Sequence, residues 1–138
     1  MVPKYRGKTI KGLLVVGYVS VVTDKRAGVE PGTYISNSVG FPFAYEVDPK
    51  TVGQSTGLKD KNGVEIFEGD IVSVRNHPFQ KTEKSGAGIE IDGDYAISWN
   101  EGDLTWCAGN LLLARLKPYV TVAGNIYENQ ELLEQANA

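Results

Sequence analysis

The clearest structural signal in this chain lies in Gln54-Ser-Thr-Gly-Leu-Lys-Asp-Lys-Asn-Gly-Val-Glu-Ile-Phe-Glu-Gly-Asp-Ile-Val72. Its Asn62-Gly63 pair is typical of a two-residue type I′ hairpin, in which both central residues need a positive φ. Gly69 separates two short apolar runs, at a point where a turn or bulge would direct the chain into a new strand. The stretch therefore predicts a hairpin, a bend and a further strand, as in a small rolled β-sheet.

Apolar patterns on both sides of this stretch predict further strands. Residues 12–22 contain many valines, which favours a buried strand over a secretory signal, because no small-residue cleavage site follows. Residues 89–99 alternate around Asp92-Gly93 and predict a hairpin, and residues 111–116 and 119–122 predict closing strands.

Two other segments give weaker predictions. Phe41, Phe43, Tyr45 and Val47 alternate, so an extended segment would place all four on one face. Residues 76–88 predict a polar loop, because residues 81–88 within it are all small or charged.

Length and composition indicate a single domain over residues 1–138, since 138 residues with 41% hydrophobic content can bury one core. We expect an all-β fold, a barrel-like rolled antiparallel sheet resembling SH3-like barrels, with residues 128–138 as a short helical tail.

Asn129 is a suitable N-cap for that helix. A helix this short is unstable alone, so Leu132 and Leu133 must dock on the sheet or on a neighbouring subunit.

The residue types that usually carry catalysis or bind metals are scarce. Cys107 is the single cysteine, which excludes an intramolecular disulfide and a multi-thiolate metal site within one chain. His77 is the single histidine and precedes Pro78 in a polar stretch, which favours a surface position over a catalytic base. No hydrophobic run approaches the ~20 residues that span a bilayer.

Acidic residues of the central stretch allow a metal hypothesis. An EF-hand alignment on Gly63 fails, because Leu58 and Gly69 then occupy ligand positions. Glu65, Glu68 and Asp70 could still serve a metal-dependent hydrolase, although carboxylates two apart on a strand edge are more often solvated or cap a turn. We expect no cofactor, no metal and no catalytic residue.

The charges are unevenly distributed along the chain. Residues 1–26 carry a net charge of +5 and residues 83–103 a net charge of −5, in a chain whose total is −3. The first segment contains a candidate basic arm formed by Lys4, Arg6, Lys8 and Lys11. The two segments could pair between subunits, or the arm could bind nucleic acid, or it could be a solvated edge that discourages sheet-to-sheet pairing.

Three segments in order share a pattern with a known family. They are Lys4-Tyr-Arg-Gly-Lys before an apolar strand, residues 54–63 with 66–72, and Gly124-Asn-Ile-Tyr-Glu-Asn129. The residues that carry this pattern are Gln54, Gly57, Leu58, Asn62, Gly63, Glu68, Gly69, Asp70, Gly124, Asn125 and Tyr127. The chain thereby resembles the YopX family of phage and prophage proteins. The resemblance implies a phage or prophage origin and a β-rich fold, and it implies no reaction.

From these observations we expect a non-enzymatic phage or prophage accessory protein in the cytoplasm of the bacterial host. It would act by protein–protein interaction and self-assembly, as a homo-oligomer or with an unidentified phage or host protein, and not at a membrane. One alternative is a nucleic-acid-binding protein that uses the basic arm. A second alternative is the metal-dependent hydrolase.

Overall fold

The computed structural model describes residues 3–37, 44–78 and 91–136. The chain forms two compact units, Met1–Ser55 and Thr56–Ala138. Both units consist mainly of antiparallel strands, and the last element is a short helix, so the predicted all-β class with a C-terminal helix is confirmed. The predicted single domain over residues 1–138 stays a prediction. The predicted loop at 76–88 and the start of the hairpin at 89–99 fall largely on residues 79–90, outside the described residues.

The first unit is a partly closed ring of strands. Its elements are β1 (Tyr5–Thr9), β2 (Leu14–Val22), β3 (Gly32–Ser36) and the first part of β4 (Ala44–Lys59). Each strand pairs with the next, and β4 also returns to pair with β1. As a result, β1 has a hydrogen-bonded neighbour on both sides.

A small apolar core fills the first unit. Val15, Ile35 and Val47 are buried there, and Tyr45 packs against them. Gly7 in β1 lies against this core, and a Cβ at this position would lie 3.0 Å from both Ile35 and Val47 side-chain carbons and would displace them. Val47 and Tyr45 therefore share one face, as the alternating pattern predicted, whereas Phe41 and Phe43 lie outside the described residues.

The second unit is built on a five-stranded antiparallel sheet of order β10-β6-β7-β8-β9. The strands of the second unit after β4 are β5 (Glu65–Phe67), β6 (Asp70–Val74), β7 (Gly93–Asn100), β8 (Thr105–Ala108), β9 (Leu111–Leu112) and β10 (Val120–Asn125). Helix α1 (Leu113–Leu116) and a 3-10 turn (Lys117–Tyr119) precede β10, and helix α2 (Glu131–Ala136) follows it. The buried core of this unit is formed by Ile66, Val72, Val74, Ile97, Ala108, Leu113, Leu116 and Val120.

Two strand predictions in the second unit are wrong. Residues 113–116 form a helical turn instead of a strand, because Leu113 and Leu116 are three apart and both point into the core from one helical face. Gly93 does not sit at a hairpin turn, since it pairs with Val74 as the first residue of β7. The Asp92 carboxylate instead accepts hydrogen bonds from the backbone N–H groups of Asn76 (2.9 Å) and His77 (3.1 Å).

The predicted surface position of His77 is also wrong. The side chain is buried, and its ring packs edge-on against Tyr119 with a centroid distance of 4.8 Å. His77 is therefore part of the packing of the second unit.

Candidate functional site

The β1–β2 connection is a tight three-residue loop. The Thr9 N–H donates to the Leu13 carbonyl (2.9 Å), and the Gly12 N–H donates to the Thr9 carbonyl (2.9 Å). Gly12 has φ +87°, which places it in the left-handed region that closes this type of hairpin. The Thr9 hydroxyl also accepts a hydrogen bond from the Leu13 N–H (3.1 Å). Three hydrogen bonds thus hold the loop in one conformation.

This loop displays apolar side chains to solvent. Ile10 is 99% exposed and Leu13 is 55% exposed, with the exposed Lys11 between them. We call Ile10, Lys11 and Leu13 the basic tip. Two exposed aliphatic side chains on a loop held by three hydrogen bonds make this tip a candidate contact surface.

The β7–β8 connection presents a second exposed surface. The rings of Trp99 and Trp106, which lie opposite each other in the two strands, pack edge to face with a centroid distance of 5.1 Å. The Trp99 indole N–H donates to the Glu101 carboxylate (2.6 Å), and Leu104 is 68% exposed at a φ of +50°. The exposed Asp103 carboxylate accepts from the Asn100 side-chain amide (3.3 Å). We call Trp99, Glu101, Asp103, Leu104 and Trp106 the acidic tip.

The Asn62-Gly63 turn lies where the sequence predicted it, but the predicted type I′ geometry is wrong. Only Gly63 of the pair has a positive φ, +84°, and the loop contains three residues instead of two. The Asp60 N–H donates to the Val64 carbonyl (2.8 Å) and the Gly63 N–H to the Asp60 carbonyl (3.0 Å). This pattern is the same as that of the β1–β2 loop.

Asp60 is the residue that determines this geometry. One carboxylate oxygen accepts from the N–H groups of Asn62 (2.8 Å) and Val64 (2.9 Å), and the other from the N–H of Val122 in β10 (2.9 Å). Burial alone raises the pKa of Asp60, but these three hydrogen bonds and the nearby Lys61 charge outweigh it, so the pKa lies below its ordinary value. Asp60 therefore ties the loop to β10 as a buried carboxylate.

The two main segments of the signature meet as neighbouring strands. Asp70 in β6 lies opposite Asn125 in β10, and both side chains are buried. The Asp70 carboxylate accepts from the Phe67 N–H (2.8 Å) across the β5–β6 turn. Gly69 has φ +89° in that turn, and a Cβ here would lie 3.0 Å from the Tyr127 ring. The glycine thus permits both the backbone conformation and the close approach of Tyr127.

Asn125 organises the turn that follows β10. Its side-chain oxygen accepts from the N–H groups of Tyr127 (3.0 Å) and Glu128 (2.9 Å). Its own N–H donates to the Asn129 side-chain oxygen (3.2 Å). Gly124 leaves the room for this contact, because a Cβ there would overlap the Asn129 amide.

The remaining signature residues also hold structural positions. Gln54 lies opposite Tyr5 in the β1–β4 ladder, and Leu58 packs against the core of the second unit. Gly57 has φ +78° within β4, and Glu68 is half-buried between β5 and β6. Each signature residue described here is thus accounted for by the fold.

The predicted basic arm is not a free arm. Arg6 and Lys8 belong to β1, which pairs with β2 on one side and β4 on the other, and both side chains are half-buried. Lys4 and Lys11 are exposed at the two ends of the strand. The sequence alone could not show that β4 returns to pair with β1.

The described part of the acidic segment makes local contacts. The Asp94 carboxylate forms an ion pair with Arg75 (3.3 Å), and Asp92 caps the turn at Asn76 and His77. Glu83 and Glu90 lie outside the described residues.

The structure does not bring Glu65, Glu68 and Asp70 together as a metal site. Across residues 3–37, 44–78 and 91–136, no group of three or more His, Cys, Asp or Glu side chains could hold a metal ion. Asp70 instead binds a backbone N–H, as described above.

The C-terminal helix docks on its own unit. Helix α2 packs against β7, and Leu132 and Leu133 are half-buried. The helix begins at Glu131, two residues after the predicted cap, and the Asn129 side chain contacts Asn125 instead. No helix in the described part of the chain is long and apolar enough to cross a membrane.

The sequence did not lead us to predict the roles of Thr9 and Asp60 in their loops or the exposure of Trp99. The segments Thr9-Ile-Lys-Gly-Leu and Asp60-Lys-Asn-Gly-Val share a signal that could have found the first two. In both, a side-chain oxygen acceptor precedes the loop and a glycine is its third residue. The exposure of Trp99 had no local signal, because it depends on where the β7–β8 hairpin ends.

The fold and these sites define an all-β protein of two units whose signature polar residues hold turns together. The chain belongs to the YopX family, since the family model described as YopX protein matches residues 16–134. It is similar to a solved structure, protein EF1440 from Enterococcus faecalis, at 28% identity and a TM-score of 0.52. That similarity covers 96% of this chain and 99% of the other. The comparison with curated proteins found no match.

Proposed function

We propose that this YopX protein is a non-enzymatic accessory protein of a phage or prophage that binds other proteins in the bacterial cytoplasm. The observation that carries the proposal is the basic tip, where Ile10 is 99% exposed and Leu13 is 55% exposed on a hydrogen-bonded loop. Family membership supports the phage or prophage origin.

The energetics of the tip favour binding. Burying an aliphatic side chain of this size contributes about 1.5–3 kcal/mol, so two adjacent ones give a small contact useful affinity. The loop is already fixed by its hydrogen bonds, so binding does not have to order it. Lys11 beside them favours a partner with acidic groups at its rim.

Polar side chains within the signature segments hold turns, which favours a binding role over a catalytic one. Asp60, Asp70 and Asn125 all use side-chain oxygens to accept backbone N–H groups. The buried oxygens of these three residues serve the fold, whereas the exposed basic tip is placed to contact another molecule.

Nucleic acid is the competing partner for the basic residues. Such binding would use Lys4 and Lys11, which are exposed, more than Arg6 and Lys8, which are half-buried in β1. Few phosphate contacts would then form, and the negative total charge repels a polyanion at long range. These points favour a protein partner.

The test is site-specific photo-crosslinking in host cells that carry the phage or prophage. A photo-crosslinking amino acid is incorporated at position 10 and, as a matched control, at position 24, where Asp24 is also exposed. We expect a discrete protein adduct from position 10 only. The adduct should disappear when Leu13→Asp is added to the same chain.

Two outcomes contradict the proposal. Equal protein adducts from positions 10 and 24 would show that the tip has no selective partner. An adduct from position 10 that nuclease removes and protease spares would favour the nucleic-acid alternative.

A further inference from the structure

We infer that the protein bound by the basic tip is a second copy of this chain, docked through its acidic tip. The inference rests on the proposed function and names the partner. It follows from two exposed surfaces on one chain that complement each other in charge and both display apolar side chains.

The charge complementarity extends beyond the tips themselves. Residues 3–23 contain four basic residues and no acidic one, whereas residues 91–114 contain four acidic residues and no basic one. Asp92 and Asp94 are engaged within the chain, so Glu101 and Asp103 carry the acidic side of the contact. Lys11 lies at the end of the first segment's hairpin, and Glu101 and Asp103 lie at the end of the second. Opposite charges at a rim select the partner and raise the rate of encounter.

The apolar side chains of the two tips can also pack against each other. Ile10 and Leu13 are aliphatic and project from a narrow loop. Trp99 is 40% exposed, and its hydrogen bond to Glu101 together with the Trp106 ring holds it in place. A preordered aromatic side chain that receives an aliphatic one is a common centre of binding energy.

Each contact joins the basic tip of one copy to the acidic tip of another. Two copies that exchange both contacts form a two-fold dimer, and copies that exchange one contact with each of two neighbours form a ring or a filament. The half-buried Leu132 and Leu133 of α2, which packs on β7, are not needed for this contact.

The first experiment uses intrinsic fluorescence. Trp99 and Trp106 are the chain's two tryptophans, so the emission reports on the acidic tip alone. We expect a blue shift as the pure protein is concentrated, because association removes Trp99 from water. The Ile10→Asp/Leu13→Asp variant changes no tryptophan, and it should lose the shift and associate about tenfold more weakly or worse.

The second experiment is complementation measured by sedimentation. Ile10→Asp/Leu13→Asp blocks the basic tip, and Leu104→Lys blocks the acidic tip, because it replaces an exposed apolar side chain by a charge that repels Lys11 of the other copy. Each variant alone should be a monomer, and a mixture should form a one-to-one dimer through the single intact pair of tips. The matched control is Val21→Lys, at a position as exposed as Leu104 at 68%, which should assemble like the wild type.

The outcomes separate this inference from the proposed function. A wild-type chain that stays monomeric, or that associates only when duplex DNA is added, overturns the inference. So does assembly that survives either blocking variant, or a mixture of folded variants that stays monomeric. If circular dichroism shows that the double variant is unfolded, Lys11→Glu replaces it and must also weaken association. A protein adduct from position 10 to a different protein would leave the proposed function standing and remove only the second copy as partner.

Discussion

Asp70 and Asn125 lie opposite each other in the β6–β10 ladder, and each turns its side chain toward the backbone of an adjoining turn. Asp70 holds the β5–β6 turn through the Phe67 N–H, and Asn125 holds the turn after β10 through the N–H groups of Tyr127 and Glu128. Two sequence segments more than fifty residues apart therefore lie side by side and hold neighbouring turns. The signature is explained by the closure of these turns.

Removal of the Asn125 side chain should destabilise the protein. In Asn125→Ala the Tyr127 N–H loses its side-chain acceptor, and the Glu128 N–H keeps only its longer bond to the Asn125 carbonyl (3.4 Å), which should cost about 1–3 kcal/mol. Urea unfolding followed by circular dichroism measures the loss. Asn110→Ala, at an exposed position, serves as control and should change the free energy of unfolding by less than about 0.5 kcal/mol.

Gly69 and Gly57 form a matched pair for a second prediction. Both have positive φ, +89° and +78°, so alanine at either position carries a backbone penalty of about 1–2 kcal/mol. Only Gly69→Ala also displaces the Tyr127 ring, since no atom lies within 4 Å of a Cβ at Gly57. Gly69→Ala should therefore lower the melting temperature more than Gly57→Ala. Equal effects would show that Tyr127 moves without cost.

The Asp60 carboxylate predicts a dependence of stability on pH. Its pKa is lower in the folded chain than the ordinary 3.8, so its stabilising effect is complete above that value. The effect is then lost as the pH falls from 3.8 through the lower folded-state pKa.

The variant Asp60→Asn tests the direction of this pH dependence. The variant leaves the Val122 N–H without its carboxylate acceptor, so near pH 7 it should be less stable than wild type by about 1–3 kcal/mol. The difference should shrink near pH 3, below the ordinary 3.8, because there the unfolded wild-type chain takes up a proton at Asp60 that the folded chain binds less tightly. Asp24→Asn, at an exposed position, should show no such trend. A gap that stays constant between the two pH values would mean that the charge of Asp60 contributes nothing.

The Thr9 hydroxyl gives a fourth prediction. Thr9→Val keeps the shape of the side chain but removes the acceptor of the Leu13 N–H, which should cost about 0.5–1.5 kcal/mol. Thr9→Ser keeps the hydroxyl and should retain most of that stability. Thermal unfolding of the three proteins measures the difference. A serine variant as unstable as the valine variant would show that the methyl group, not the hydrogen bond, matters.

Local patterns predicted the parts of the fold that local chemistry determines. The turn at Asn62-Gly63 and the bend at Gly69 were placed correctly, because glycine at positive φ marks such positions. The type of the first turn was wrong, since the Asp60 carboxylate stabilises a three-residue loop. A side-chain acceptor one residue before the loop thus outweighed the preference of the Asn-Gly pair.

Contacts between distant segments account for the other differences. Asp92-Gly93 has the composition of a turn, but pairing with Val74 draws Gly93 into a strand. Lys4–Lys11 has the composition of an arm, but β4 returns and pairs with β1 along its length. His77 is buried because Tyr119, more than forty residues later, packs against it. None of these partners can be read from the neighbouring sequence.

In the loops after Thr9 and Asp60, the residues that fix the backbone conformation differ from the residues that are exposed at the tip. In both loops the preceding oxygen acceptor and the final glycine fix the backbone, and the hydrogen bonds described for the two residues between them involve their backbone N–H groups alone. These two residues are Ile10 and Lys11 in one loop, and Lys61 and Asn62 in the other. The two residues of such a loop can therefore be substituted without a change in the backbone conformation of the hairpin. Grafting Lys61-Asn62 in place of Ile10-Lys11 would replace the isoleucine of the tip while the backbone conformation stays as it is.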